Sequence, residues 1–124
     1  MSIRVLLVDD SELFIEVLAI RLQTRGMTVS KVTSVKEIFQ KVEEEFYDVI
    51  VLDLIMPEMD GLEVLSILKT RKPELPVLVY TADVEPERLK KAMELGALDV
   101  IPKPTDLRIL TRRIEDAKRL HHQG

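Results

Sequence analysis

The amino-acid sequence predicts a three-layer α/β domain on a five-stranded parallel sheet, and three observations carry that expectation. Short apolar runs recur about every twenty residues, helical apolar spacing fills the gaps, and the runs are continuous rather than alternating. A strand that is apolar at every position is buried on both faces, as happens in a parallel sheet covered by helices on each side. Right-handed crossovers through those helices join successive strands.

The first strand is expected over Ile3 to Val8, followed by a helix with apolar spacing Leu13, Phe14, Val17, Leu18 and Leu22. Gly26 suits the end of that helix, because a residue without Cβ takes the left-handed closing conformation at least cost. The second strand is Thr28 to Val32. Ser34 and Glu37 then have capping-box spacing for a helix carrying Ile38, Phe39, Val42 and Phe46, with Glu43, Glu44 and Glu45 as its solvated end. After the third strand, Val49 to Leu52, Asp60 with Glu63 forms an acidic variant of the box for the third helix. Pro76 opens the fourth strand, Val77 to Tyr80, and Pro86 suits the first turn of a fourth helix closed by Gly96. The fifth strand is Leu98 to Ile101. Because Pro102 cannot donate to a ladder, this strand belongs at a sheet edge. Thr105 is the expected cap of the last helix, where Arg112, Arg113, Lys118 and Arg119 sit toward the favourable end of the dipole. The expected domain spans residues 1–120, with residues 121–124 as a polar tail.

The 124 residues fit one domain, and 46% hydrophobic with 32% charged residues describes a globular chain. A net charge of −4 lacks the basic footprint of direct nucleic-acid binding. The absence of cysteine excludes disulfides, thiolate zinc sites and thiol nucleophiles, and suits the reducing cytoplasm. No run approaches the ~20 apolar residues of a membrane span. The only histidines, His121 and His122, fall in the tail, so a mechanism needing an internal histidine is excluded. The five methionines read as core or loop filler.

The chemistry is expected where the strands end. Asp9 and Asp10 follow the first strand, Asp53 the third, Thr81 the fourth and Lys103 the fifth. In a parallel sheet these ends share one edge, and open α/β sheets bind ligands there. Three neighbouring carboxylates repel unless a hard divalent cation neutralises them, which makes magnesium the natural expectation. Lys103 adds a point positive charge and Thr81 a hydroxyl donor, both suited to a phosphoryl group, and Asp53 is the candidate nucleophile. Taken singly, each has a plainer reading: first-turn acids, a turn aspartate, a capping threonine and a solvated lysine. Their joint occurrence at four strand ends favours the functional one.

With these residues in view, VLLVDDS at 5–11, DLIMPEMDG at 53–61, TA at 81–82 and KP at 103–104 resemble a bacterial response-regulator receiver domain. The resemblance implies a flavodoxin-like α/β/α sandwich of strand order 2-1-3-4-5. It further implies that Asp53 accepts the phosphoryl group, that Asp10 and Asp53 bind Mg²⁺ directly and Asp9 through water, and that the Ile55 carbonyl is a further ligand. Thr81, the Ala82 amide and Lys103 would contact the phosphoryl oxygens, and the Lys103–Pro104 bond would be cis. The donor would be a sensor histidine kinase or a histidine phosphotransfer domain. The chain would act on itself rather than as a conventional enzyme, first taking and then hydrolysing the phosphoryl group, with Ile55 and Asp83 flanking the site.

Three positions depart from the pattern in ways that bear on output. Receivers commonly carry an aromatic residue three positions before the lysine, where this chain has Val100, and an apolar aromatic is frequent where it has Thr105. Pro102 stiffens a segment that usually moves. The expected output surface is helix four, strand five and helix five, with Arg88, Lys90, Lys91 and Arg108 available to a downstream protein, an effector domain or a second copy of the chain. Two other classes compete: a receiver-like docking scaffold that no longer uses phosphate, and a metal-dependent phosphatase. The second is disfavoured because Asp53-Leu54-Ile55 lacks a second carboxylate two residues on.

Overall fold

The computed structural model describes residues 2–121. Five strands, β1 (Arg4–Val8), β2 (Thr28–Val32), β3 (Val49–Leu52), β4 (Val77–Thr81) and β5 (Asp99–Pro102), alternate with five helices. The helices are α1 (Glu12–Gln23), α2 (Val35–Glu44), α3 (Gly61–Arg71), α4 (Pro86–Glu94) and α5 (Leu107–His121). Every strand pair is parallel and the order is β2-β1-β3-β4-β5, the flavodoxin-like arrangement. β5 lies at the edge that Pro102 demands, with Pro102 as its last residue opposite Thr81. Residues 122–124 of the expected tail lie outside the described residues, and α5 ends on His121.

Strand side chains alternate between faces, so a continuous apolar run feeds two cores. Leu6, Val8, Ile50, Leu52, Val77 and Val79 meet Ile38 and Val42 of α2, Leu65 and Leu68 of α3, and Ala92 of α4. Val5, Leu7, Val49, Val51, Leu78 and Tyr80 meet Ile15, Leu18 and Leu22 of α1 with Leu110 and Ile114 of α5. Truncating one buried leucine to alanine typically costs about 2–5 kcal/mol, against about 1 kcal/mol for a lost helix cap. Packing therefore supplies most of the stability, and caps decide where helices begin. On α1 the expected apolar positions divide: Leu18 and Leu22 are buried, Phe14 is half-buried, and Leu13 and Val17 face solvent.

The helix ends follow the expected chemistry with two corrections. The Ser34 hydroxyl accepts from the Glu37 amide, one of the two bonds of a capping box, and donates to the Glu37 carboxylate. Asp60 caps α3 by accepting from the Leu62 amide at 3.0 Å, but its other partner is Arg88 rather than Glu63. The cap of α5 is Asp106, not Thr105: the helix starts at Leu107, so residue 106 is the one placed to accept from the Arg108 amide, at 2.8 Å. Gly96 has φ +110°, with its amide on the Met93 carbonyl and the Ala97 amide on the Ala92 carbonyl, the paired bonds of a left-handed helix closure.

Gly61 seats α3 directly against the segment that follows Asp53. Its amide donates to the Leu54 carbonyl at 3.1 Å, and a Cβ added there would stand 2.3 Å from the Leu54 Cα. No side-chain rotation relieves a clash with backbone. Gly26 is the opposite case, with φ +88° and open space around it. Gly61→Ala is therefore expected to destabilise by about 2–3 kcal/mol and Gly26→Ala by about 1 kcal/mol, read from urea midpoints. Equal costs at the two positions would refute the close approach.

Candidate functional site

The four strand ends named by the sequence converge at one edge of the sheet, and a repeated local device orients them. The Asp9 carboxylate accepts from the Ser11 amide at 3.0 Å, Asp53 from the Ile55 amide at 3.1 Å, and the Thr81 hydroxyl oxygen from the Asp83 amide at 3.1 Å. Each is an Asx-type or Ser/Thr turn, in which a short polar side chain binds the backbone two residues on as the strand ends. The plainer reading of Asp53 as a turn residue is thus true of its geometry, and the three turns hold their side chains in place. Backbone bonds continue past the strand ends from the Asp9 amide to the Val32 carbonyl, from Asp53 to Val8 and from Lys103 to Thr81.

Asp9 and Asp53 are buried, Asp10 is exposed, and oxygens of all three lie within 4.8 Å of one another. This is a set of hard oxygen donors that could hold a metal ion. Lys103 joins them from the loop after β5, with Nζ 2.5 Å from Asp9 and 3.0 Å from Asp53. Burial pulls the Lys103 pKa down, yet hydrogen bonds and charge from Asp9 and Asp53 outweigh it, so the net shift is upward and the ammonium form is favoured. The Lys103–Pro104 bond is cis. Thr81 is fully buried at the end of β4, and Ala82 and Ile55 are exposed.

A family profile described as the response regulator receiver domain matches residues 5–115, which contain every one of these strand ends. The chain belongs to that family. This receiver domain of two-component signalling is 35% identical over 93% of its length to the alkaline phosphatase synthesis transcriptional regulatory protein PhoP of Bacillus subtilis. It is 34% identical over 94% of its length to the transcriptional regulatory protein ZraR of Escherichia coli. It spans 48% of the first and 26% of the second, so it corresponds to only part of these relatives. Among solved structures, the beryllofluoride-activated NtrC4 receiver domain dimer aligns with a TM-score of 0.89 and 30% identity, covering 95% of this chain and 98% of the other.

The receiver domain also contains contacts that spacing alone did not reveal. Arg88, expected as a docking cation, is instead held at the start of α4: its Nε donates to Asp83 at 2.6 Å, and Nη1 and Nη2 donate to Asp60 at 3.0 and 2.8 Å. It ties the loop after Thr81 to the first turn of α3. Arg108 folds back onto Asp106, while Lys90 and Lys91 are exposed. Phe14 and Tyr80 lie against Lys103. No periodicity marks the Arg88–Asp60 pair or the ring contacts of Lys103, since each spans elements brought together by the fold.

The Arg88 cluster has a definite pH signature. Asp60 is held below the usual carboxylate range first by Arg88 and then by the Leu62 amide, and Asp83 first by the Glu85 amide and then by Arg88. A depressed carboxylate stabilises the fold fully above its unfolded pKa of about 4, and that contribution is lost as pH falls through the lower folded value. Arg88→Ala should move both titration midpoints upward, Asp60 more than Asp83, and flatten the loss of stability below about pH 4. Carboxyl-carbon NMR titration of both variants checks this. Unchanged midpoints would remove Arg88 as the cause.

Proposed function

We propose that this receiver domain, over residues 1–120, takes a phosphoryl group from a phosphohistidine of a sensor kinase or histidine phosphotransfer domain onto Asp53. The observation that carries the reading is the buried Asp53 carboxylate between two further acids and a lysine, at the end of a central strand. An Asp53 oxygen attacks phosphorus as the nitrogen–phosphorus bond breaks, and the departing ring nitrogen keeps the bonding pair and gains a proton. Lys103 offsets the charge spread over the phosphoryl oxygens, with the Thr81 hydroxyl and the Ala82 amide as donors to them. The turns that orient Asp9 and Asp53 hold the two buried acids ready for the transfer. Water attacking phosphorus would later return the Asp53 carboxylate and inorganic phosphate.

The donor set fits Mg²⁺, which takes hard oxygen ligands and keeps several waters. Asp10 and Asp53 would hold it directly, Asp9 through water and Ile55 through its carbonyl, and when bound it would supply charge neutralisation for the incoming phosphoryl group. The chain remains a self-modifying switch rather than an enzyme with sustained turnover. Among the described residues no helix is long and apolar enough to cross a membrane, and the cysteine-free composition fits a cytoplasmic setting.

For output, the surface of α4, β5 and α5 would meet a downstream protein, an effector domain or a second copy. A phosphoryl group on Asp53 adds negative charge and acceptor oxygens that draw Thr81 and Lys103 inward. Arg88 connects that movement to α3 and α4. Val100, half-buried against the core under α2, α3 and α4, offers no aromatic ring to turn, which leaves helix displacement or less motion than usual as the routes. Such couplings are worth about 1–3 kcal/mol, or one to two decades in partner affinity.

The test is intact mass after incubation with Mg²⁺ and acetyl phosphate. Wild type should gain one phosphoryl group, Asp53→Asn none, and EDTA should abolish the gain. Thr81→Ala should still be labelled and transmit a weaker response. Labelled Asp53→Asn would sink the site assignment. An unlabelled wild type, with Mg²⁺ bound and a phosphohistidine donor also refused, would favour the docking scaffold.

A further inference from the structure

The Lys103 ammonium has a third set of contacts besides its two carboxylates. Its Nζ lies 4.3 Å from the centroid of the Phe14 ring and 5.7 Å from that of Tyr80. The rings, one from α1 and one from the β4 residue before Thr81, stand 6.0 Å apart and are tilted by 43°. Tyr80 is buried and Phe14 half-buried, with Phe14 packed against the core between the sheet and the α1 and α5 helices. Both distances fall within the range at which an aromatic face attracts a cation.

We propose that Phe14 and Tyr80 are positioning residues for Lys103: an aromatic shelf that keeps the ammonium at the pocket while its anionic partners change. The inference rests on the phosphoacceptor reading. Lys103 now bridges Asp9 and Asp53. Once Asp53 carries a phosphoryl group, one carboxylate oxygen is bonded to phosphorus, and the ammonium has to turn toward a phosphoryl oxygen. Lysine is a flexible stem with a strongly hydrated point charge, so carboxylates alone would not confine it during that exchange. The ring faces are the same before and after, and their attraction limits the ammonium to positions above the two rings. Tyr80 adjoins Thr81 in β4, so the shelf and the hydroxyl donor belong to one rigid segment.

The expected effect is on the reacting state rather than on donor binding. With acetyl phosphate as donor and saturating Mg²⁺, Phe14→Leu should lower the maximal labelling rate by roughly threefold to tenfold, the rate equivalent of a half-desolvated cation–ring contact, while the half-saturating donor concentration stays unchanged. Phe14→Tyr, which keeps the ring face, should restore the rate. A second readout needs no phosphate: in a double-mutant cycle, Phe14→Leu and Lys103→Met should be non-additive in Tm by about 3 °C. Labelled wild type with equal rates in Phe14→Leu and Phe14→Tyr, together with an additive cycle, would overturn the shelf. A non-additive cycle in a protein that never takes a phosphoryl group would overturn the phosphoacceptor reading and leave the shelf standing.

Discussion

A single ammonium bridges the two buried carboxylates at the end of the sheet, and the pocket is arranged around that bridge. Lys103 reaches Asp9 and Asp53 together, and these arrive from β1 and β3 while the lysine arrives from beyond β5. Like charges at such range oppose one another and resist desolvation, so the cluster depends on every member being present and oriented. The constraint passes back into the sheet. A slip of one residue in β1 or β3 would turn its acid to the opposite face, and the same slip in β5 would carry the lysine away. Parallel register and pocket electrostatics therefore specify one another.

That demand explains why the polar edge is built from short, internally bonded turns while stability comes from elsewhere. Asp9, Asp53 and Thr81 are each held by an amide two residues on, and Gly61 lets α3 close directly onto Leu54. Neither device contributes much burial. The two cores on either face of the sheet supply the packing, and the edge can remain polar and poised because it is not asked to hold the domain together.

Polar contacts also define how far a disturbance at the pocket can travel. Arg88 joins the loop after Thr81 to the start of α3, linking two helix starts through one guanidinium. Val100 packs against the core as an aliphatic residue. A ring that turns at that position has no counterpart in this side chain.

Much of this was legible in the chain before any coordinates. Apolar runs, capping spacings and paired glycines located the ten elements, Pro102 placed β5 at an edge, and polar residues after the strands marked the pocket. These signals are local: strand faces, caps and left-handed closures depend on residues within a few positions of each other. Thr105 failed as a cap by one residue, because a helix start is set by where packing lets the first turn form. Arg88 looked like a docking cation and Phe14 like ordinary core, since nothing near either in the chain names Asp60 or Lys103. Those pairs lie far apart in the chain, and only the crossing of helices over the sheet brings them within reach. The sequence by itself determined the elements, their parallel order of burial and the chemistry at their ends. The tertiary structure decided which charges meet, because contact between distant residues is a property of the packed fold and not of any segment in it.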